Sequence, residues 1–318
     1  MTKVTVLSRS FSRHPILRAE LLARYPDASF NDAGVSLSGE ELIKALRGHQ
    51  KAIIALEPIS ADVLDAVPEL RVIAKYGVGF DKIDLAALIT RDVSLGWAGG
   101  VNRRSVAELV IGFAISMLRK LPEANDAVCN DNWHQVVGRQ LSDCTIGIIG
   151  CGHVGQDLGR ILRAGFDCRV LAHDIQDHPT YYTETGVMPS SLDALLREAD
   201  VISVHLPHDT STANILDATH LGMIKASAIL INTARGSLVD EMAIKQMLKA
   251  GTLAGAAFDV FACEPPEDQE LLDLPNFFAT PHVGGSTQES ILAMGRTAID
   301  GLDDYRVPEK GIFPPGLW

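Results

Sequence analysis

A glycine-rich turn near the middle of the chain, Gly150-Cys151-Gly152-His153-Val154-Gly155, has the residue types and spacing of a phosphate-binding loop. It follows an apolar run at 146–149 and precedes a helical pattern, so it predicts a strand, a tight turn and a helix. Gly150 permits the turn, Gly152 lets backbone approach a pyrophosphate, and Gly155 lets the helix pack closely on the strand. The motif therefore predicts a dinucleotide site.

The residues after this turn indicate which dinucleotide is bound. Asp174 ends the next apolar run and stands 19 positions after Gly155. A carboxylate there accepts hydrogen bonds from the adenosine ribose and repels a 2′-phosphate. Asp177 adds negative charge and no arginine directly follows Asp174, so NAD is favoured over NADP. The backbone of His153 and Val154, at the helix N-terminus, is expected to face the phosphates.

Three further side chains with useful chemistry follow candidate strands in the second half of the chain. They are Arg235, Glu264 and His282, which supply an anion-binding cation, a carboxylate and a group that titrates near neutral pH. Taken singly, each is more often an ordinary surface or loop residue. In an open parallel sheet, however, ligands bind at the carboxyl ends of the strands, so these side chains are expected to converge there.

The elements that position these residues alternate between strands and helices. Helical patterns separate candidate strands at 4–7, 52–55, 72–74, 93–95, 201–205, 228–232, 254–258 and 277–279. This alternation predicts an α/β protein with a parallel sheet in each half. A flexible break at 97–102 marks the first boundary, and Ser105-Val106-Ala107-Glu108 predicts a capping box that opens a long helix. Both faces of that helix are apolar, which predicts burial between domains or subunits.

Composition restricts the class of protein. The 318 residues are 47% hydrophobic and 21% charged, enough for two domains with separate cores. A net charge of −12 argues against nucleic acid or a polybasic membrane contact. Five cysteines without a CxxC pair predict buried thiols in a reducing cytosol and no metal site. With no signal-peptide pattern and no apolar run that could cross a bilayer, we expect a cytoplasmic protein.

A second glycine turn lies in the first half, at Lys75-Tyr76-Gly77-Val78-Gly79-Phe80-Asp81. It lacks the third glycine and the acidic partner, so it does not predict a second dinucleotide site. Its free backbone N–H groups are suited to a small anion. The Lys75 ammonium either holds a further anionic group of the substrate or is an ordinary solvated charge.

In its order of motifs the chain resembles the D-isomer-specific 2-hydroxyacid dehydrogenases, in the branch of the phosphoglycerate dehydrogenases and the glyoxylate and hydroxypyruvate reductases. The motifs that carry the resemblance are Lys75 to Asp81, the glycine motif with Asp174, Asn232-Thr233-Ala234-Arg235-Gly236, Asp259-Val260-Phe261 with Glu264-Pro265, and His282-Val283-Gly284-Gly285. The resemblance implies two doubly wound parallel-sheet domains. The second, an NAD-binding Rossmann domain at 102–285, is inserted into a flavodoxin-like substrate-binding domain of 1–101 plus 286–318.

The resemblance also implies that Arg235, Glu264 and His282 are the catalytic trio. Arg235 is then expected to bind the substrate carboxylate and polarise the carbonyl while hydride arrives from nicotinamide. Protonated His282 donates to the developing alkoxide, and Glu264 favours the protonated imidazole. The predicted reaction is hydride transfer between NAD and a small D-2-hydroxy acid or 2-keto acid.

The remaining contacts implied by the resemblance concern cofactor and substrate binding. Asp259 is assigned to the nicotinamide carboxamide, with Thr233 as a further cofactor contact. The backbone of Val78 and Gly79 is assigned to the substrate carboxylate, with Lys75 as a further substrate contact.

Several alternatives stay open at this point. Phosphoglycerate, glycerate, glycolate and lactate are all compatible with the trio, as is phosphite oxidation. So is an NAD(H)-sensing module like the family's corepressors. Formate oxidation is disfavoured because that branch has glutamine where this chain has Glu264.

The helix after Ser105 resembles the family's dimer-forming helix, so we expect a homodimer.

Overall fold

The computed structural model describes residues 2–314, which form two compact units. The first contains the described residues up to Asn102 together with those from Gln288, and the second, Arg103–Thr287, is inserted between these two parts. The predicted boundaries, at 101/102 and 285/286, fall one and two residues from those observed. Met1 and 315–318 of the predicted first domain lie outside the described residues.

The first unit is built on a five-stranded parallel sheet with strand order β2-β1-β3-β4-β5. In chain order its elements before the insertion are β1 (Val4–Val6), α1 (Arg9–Arg13), α2 (Pro15–Arg24), β2 (Ser29–Phe30), α3 (Gly39–Leu46), β3 (Lys51–Ile54), α4 (Ala61–Ala66), β4 (Val72–Lys75), α5 (Leu85–Thr90) and β5 (Ser94–Gly96). Neighbouring positions of the central strands enter different cores, since Ala52 and Ile54 pack on one face and Ile53 on the other. Both faces of the sheet are therefore covered, as parallel sheets require.

The second unit contains a seven-stranded sheet, all parallel, with strand order β12-β11-β10-β9-β6-β7-β8. Its elements are α6 (Arg103–Leu118), α7 (Leu121–Cys129), β6 (Thr145–Ile149), α8 (His153–Phe166), β7 (Arg169–His173), α9 (Pro179–Thr185), β8 (Met188–Pro189), α10 (Leu192–Glu198), β9 (Val201–Val204), α11 (Ala218–Leu221), β10 (Ile229–Asn232), α12 (Glu241–Ala250), β11 (Gly255–Phe258), α13 (Gln269–Leu272) and β12 (Phe277–Ala279). The strand order reverses between β6 and β9, and such a switch point opens a crevice at the carboxyl ends of the strands.

Side chains pack on both faces of this sheet. Leu230 and Phe258 enter one core, whereas Ile229, Ile231 and Ala257 enter the other. Because side chains alternate across a strand, short apolar runs of this kind are buried on both sides. The loops at the carboxyl ends of the strands therefore start from fixed positions.

After the insertion the chain returns to the first unit as α14 (Gln288–Asp300), which contacts α2 and β4. Gly295 of α14 is in close contact with Leu17, because a Cβ at that glycine would lie 2.3 Å from Leu17 Cδ1. Arg24 donates to Asp300 at 2.7 Å and to Asp303 at 2.6 Å, which ties the returning segment to α2.

The predicted capping box is wrong. Helix α6 begins at Arg103, so Ser105 lies within its first turn instead of preceding it. The Ser105 hydroxyl is buried and donates to the carbonyl of Gly284 at 2.6 Å, a long-range contact that local pattern cannot indicate. Of the helices in the described part of the chain, none is long and apolar enough to cross a membrane.

Candidate active site

The glycine turn between β6 and α8 has the geometry of a phosphate-binding loop. Gly150 has φ +97°, and a Cβ at Gly155 would lie 2.1 Å from the Gly150 carbonyl oxygen, so both positions require glycine. A Cβ at Gly152, in contrast, would meet nothing within 4 Å. Gly152 is the N-cap of α8, and no side chain caps that end. The first amide groups of a 14-residue helix thus remain available to an anion.

Asp174 is joined directly to this turn. Its Oδ2 accepts the Cys151 N–H at 2.6 Å and its Oδ1 accepts the Gln176 N–H at 2.8 Å. The side chain is only 12% exposed. The carboxylate predicted for the ribose therefore has one fixed orientation beside the glycine turn.

The turn after β10 carries Arg235 and is fixed by Asn232. The buried Asn232 amide donates to the Arg235 carbonyl at 2.9 Å, and its oxygen accepts the Ala234 N–H at 3.1 Å. The half-buried Arg235 side chain donates to the Ala234 carbonyl at 2.6 Å. Thr233 Oγ1 is buried and has no hydrogen-bond partner among the described residues. A buried hydroxyl in that state is suited to a polar ligand atom.

Gly236 holds this turn against the loop that follows β11. A Cβ at Gly236 would lie 1.9 Å from the Phe261 carbonyl carbon, so no other residue fits without moving backbone. The close approach joins the segment carrying Arg235 to the segment carrying Glu264 within the same unit. Two of the three predicted catalytic residues therefore lie on loops in direct backbone contact.

Glu264 and His282 form a direct pair. His282 Nδ1 lies 2.8 Å from Glu264 Oε2, and the Phe261 N–H donates to Glu264 Oε1 at 3.1 Å. The side chains are 50% and 38% exposed, so the imidazole can reach a ligand. Because the carboxylate accepts, Nδ1 carries the hydrogen in this contact and Nε2 is directed elsewhere. The pair has the arrangement of an oriented general acid or base.

Asp259 organises the loop that carries His282. It is 1% exposed and accepts from Thr280 Oγ1 at 2.5 Å and from the Val283 and Gly284 N–H groups at 2.7 Å each. Its carbonyl accepts the His282 N–H at 2.9 Å. His282 itself has φ +54°, a conformation uncommon outside glycine, and these bonds hold it there. The carboxylate predicted to contact nicotinamide thus also fixes the catalytic loop.

Replacing Asp259 with alanine is expected to lower the free energy of unfolding by about 3 kcal/mol, because three donors, one buried and two partly buried, lose their acceptor. Urea denaturation of the full chain measures this change. Asp273→Ala, which removes an exposed carboxylate of the same unit, is the matched control and should change stability little. Equal stability of the two variants would contradict the assigned role of Asp259.

A second histidine at the carboxyl edge, His205, is not suited to acid–base work. It follows β9, and its Nε2 lies 2.9 Å from Ser203 Oγ. Desolvation lowers the pKa of His205 to about 3, so its ring is neutral at physiological pH. His282 is accordingly the better candidate for proton transfer.

The predicted substrate contacts Lys75, Val78 and Gly79 all belong to the first unit. Lys75 is buried, and its Nζ donates to the Ala55 carbonyl at 2.5 Å and to the Tyr76 carbonyl at 3.4 Å. A Cβ at Gly77 would lie 3.3 Å from this Nζ, so the ammonium lies against the glycine turn. The turn therefore combines a positive charge with a half-buried backbone, as an anion site requires.

Sequence reasoning missed three residues that build the site, namely Asn232, Gly236 and Thr280. A weak signal was available for the first two, since both belong to the quoted motif around Arg235. Asn232 acts through bonds to the next residues of its own turn, whereas Gly236 and Thr280 act through contacts with a neighbouring segment that local pattern does not indicate. Within the described residues, no group of three His, Cys, Asp or Glu side chains is placed to hold a metal ion.

The second unit fits a dinucleotide. The open glycine turn, the uncapped helix N-terminus, the fixed Asp174 carboxylate and the orphaned Thr233 hydroxyl all lie at the carboxyl edge of one Rossmann sheet. A histidine–carboxylate pair follows neighbouring strands at the same edge. Together these features define the class of dinucleotide-dependent oxidoreductases.

Comparison with known proteins identifies the family. Residues 111–284 match the model of the D-isomer specific 2-hydroxyacid dehydrogenase NAD-binding domain. A glyoxylate reductase of Thermofilum pendens is 34% identical over 289 residues, which cover 88% of this chain and 84% of that protein. The chain belongs to the D-isomer specific 2-hydroxyacid dehydrogenase family.

A second relative and a solved structure are similar to this chain over most of its length. The D-3-phosphoglycerate dehydrogenase of Mycobacterium tuberculosis is 35% identical over 81% of this chain, but only 48% of that longer protein is covered. Among solved structures, the TT0316 protein of Thermus thermophilus matches with a TM-score of 0.83 and 31% identity, over 95% of this chain and 94% of that one. The predicted family, the two-unit α/β fold with its Rossmann domain, the enzyme class and the NAD cofactor are confirmed.

Proposed function

We propose that this chain catalyses reversible hydride transfer between NAD(H) and a small D-2-hydroxy acid or 2-keto acid, with His282 and Glu264 as the acid–base pair and Arg235 as the substrate clamp. The observation that supports it best is the 2.8 Å contact between His282 and Glu264 in the same unit as the glycine turn. NAD, when bound, supplies or accepts the hydride at nicotinamide C4. The chain supplies orientation, charge and the proton.

The proton is handled by His282 Nε2. Glu264 accepts the Nδ1 hydrogen, so the other ring nitrogen is left for the substrate oxygen. In reduction, the protonated ring gives its Nε2 proton to the developing alkoxide, and the carboxylate stabilises the positive ring before transfer. In oxidation, neutral Nε2 accepts the hydroxyl proton.

Arg235 is proposed to bind the substrate carboxylate and to polarise the carbonyl that receives the hydride. A guanidinium presents a planar fork of N–H donors that matches a carboxylate. The backbone of the turn that carries it is held by Asn232 and Gly236, which supports this role. The Val78 and Gly79 backbone and the Lys75 charge are proposed as further substrate contacts.

A substrate panel tests this function. NADH oxidation is followed by absorbance with glyoxylate, hydroxypyruvate, pyruvate and 3-phosphohydroxypyruvate, and phosphite with NAD⁺ runs in parallel. Turnover of one keto acid supports the proposal and names its substrate class. Phosphite oxidation alone would replace it with phosphite dehydrogenation. Tight NADH binding without any turnover would favour an NAD(H)-sensing module.

Replacing Glu264 with glutamine is expected to lower kcat for keto-acid reduction about 30-fold, since the charged imidazole loses its carboxylate partner. Steady-state kinetics with the best keto acid measure this change. Glu267→Gln, an exposed carboxylate in the same loop, is the control, and an unchanged kcat in Glu264→Gln would contradict the pairing.

We also propose that the protein is a homodimer built on α6, α7 and the segment that follows. Large apolar side chains remain exposed there, with Leu121 46%, Val128 51%, Trp133 86% and Val137 91% exposed. Exposed apolar surface of this kind marks an interface. Light scattering is expected to give twice the 34.2 kDa chain mass, and a Trp133→Ser, Val137→Ser double variant should give the single mass. Ile175→Ser, 93% exposed elsewhere, is the control. A wild-type monomer would contradict the proposal.

A further inference from the structure

A histidine lies against the carboxylate proposed for the adenosine ribose. His178 Nε2 is 3.9 Å from Asp174 Oδ2, and the two side chains are 20% and 12% exposed. The Nε2 atom is buried and has no hydrogen-bond partner in the described part of the chain. Buried polar atoms are nearly always paired, and a proton on Nε2 would make it a donor beside Asp174.

The surrounding chain keeps His178 at this position. The His178 carbonyl accepts the Tyr182 N–H at 3.0 Å, and His178 is the N-cap of α9. Its ring packs edge-on against the Tyr182 ring, with the centroids 6.2 Å apart and the planes at 76°. The imidazole is therefore near the carboxylate whether it is neutral or charged.

Asp174 is equally fixed. Its oxygens accept the Cys151 and Gln176 N–H groups, so it cannot turn away from His178 without breaking one of these bonds. A change of charge on His178 therefore changes the electrostatic environment of the Asp174 carboxylate, which also accepts a hydrogen bond from the glycine turn. The two residues form one electrostatic unit at the ribose end of the site.

Two further imidazoles lie in this part of the chain, His153 at the start of α8 and His173 directly before Asp174, and both are retained in the His178→Gln variant used below. The other titratable groups nearby keep their charge state between mildly acidic and mildly alkaline pH. Burial raises the pKa of the Cys151 thiol to about 11 and that of Tyr182 to about 12, so both stay neutral. The charged side chains in this region are Asp174 and Asp177 on the same loop and Arg160 on α8. Imidazole is the ordinary side chain that titrates in this range.

We propose that His178 sets how strongly the site discriminates NAD from NADP. With a neutral imidazole, Asp174 keeps its full charge, accepts the ribose hydroxyl groups and repels a 2′-phosphate. With a charged imidazole, the ion pair weakens both effects, so tolerance of NADP(H) increases as the pH falls. This inference rests on the proposed role of Asp174 at the ribose.

Equilibrium binding tests the proposal without catalysis. Dissociation constants of NADH and NADPH for the full chain are measured by nucleotide fluorescence at low ionic strength, at alkaline and at acidic pH. The 2′-phosphate itself takes up a proton near pH 6, which favours NADPH in any variant by about threefold. In the wild type, the ratio of the NADPH to the NADH dissociation constant should fall about tenfold further, because two oppositely charged groups at this separation interact strongly. In His178→Gln, only the smaller change should remain.

Two control variants separate the possible failures. His220→Gln removes a histidine that is paired with Asp217 at 3.0 Å elsewhere in the unit, and it should behave as the wild type. Asp174→Asn should lower the ratio at every pH and abolish its extra pH dependence. A wild-type pH dependence in His178→Gln, with NADH still bound at alkaline pH, would overturn this inference alone. An unchanged ratio in Asp174→Asn would overturn the ribose assignment, and this inference with it, while NADH binding itself would still stand.

Discussion

Replacing His282 with glutamine is expected to lower kcat for keto-acid reduction about a thousandfold, because general acid catalysis by a positioned side chain contributes on this scale. The dissociation constant of NADH should stay close to the wild-type value. Steady-state kinetics with the best substrate of the panel, together with NADH titration, measure both quantities. Glutamine keeps a hydrogen-bonding side chain of similar length but cannot transfer a proton at neutral pH.

The structure indicates that this variant keeps its fold. The His282 backbone is held through its own N–H to the Asp259 carbonyl and through the Asp259 carboxylate to the next two residues. None of these bonds involves the imidazole. His208→Gln, which alters an exposed histidine, is the control and should retain activity. Retention of more than a tenth of wild-type kcat by His282→Gln would exclude it as the proton donor.

Replacing Arg235 with glutamine is expected to lower kcat/KM about a thousandfold or more, since a charge-assisted, two-point contact to the substrate carboxylate is lost. KM for the keto acid should rise and kcat should fall, because the cation also polarises the carbonyl. Arg235→Lys should recover only part of the loss, since an ammonium lacks the planar fork. Kinetics over a wide range of substrate concentration separate the two constants.

Affinity for NADH is the internal check on the Arg235 variants, and it should be unchanged. The Asn232 bonds that fix this turn reach the Arg235 carbonyl and the Ala234 N–H, so they survive substitution of the side chain. Arg197→Gln, on the exposed surface of α10, is the matched control. A wild-type KM in Arg235→Gln would show that another group binds the substrate carboxylate.

Local sequence was sufficient for much of this architecture because the parallel strands are short, buried on both faces and rich in β-branched residues. The strand at 277–279 was predicted with its observed bounds, and the others differ by a residue or two at their ends. The strands β2 and β8 were missed because each has only two residues, too few for a periodic pattern. The capping box failed because Ser105 bonds to Gly284, far along the chain.

The candidate site also has parts that local sequence predicts and parts that it does not. The glycine turn and the His282–Glu264 pair follow from motifs that each lie within a few residues of a strand end. The Gly236 contact with Phe261 and the three bonds accepted by Asp259 depend on which strands are neighbours, and a single sequence does not display that directly. Residue types at strand ends thus predict the chemistry, whereas the sheet order determines how it is held in place.

The most direct test of the central claim is the fate of the label when both hydrogens on C4 of NADH are replaced by deuterium, in the reaction of the best keto acid. The account predicts a 2-hydroxy acid of D configuration with one deuterium at C2, because hydride passes directly to the carbonyl carbon while His282 supplies the oxygen-bound proton. Mass spectrometry locates the deuterium, and chiral chromatography assigns the configuration. A product of L configuration, or one without deuterium at C2, would contradict the account.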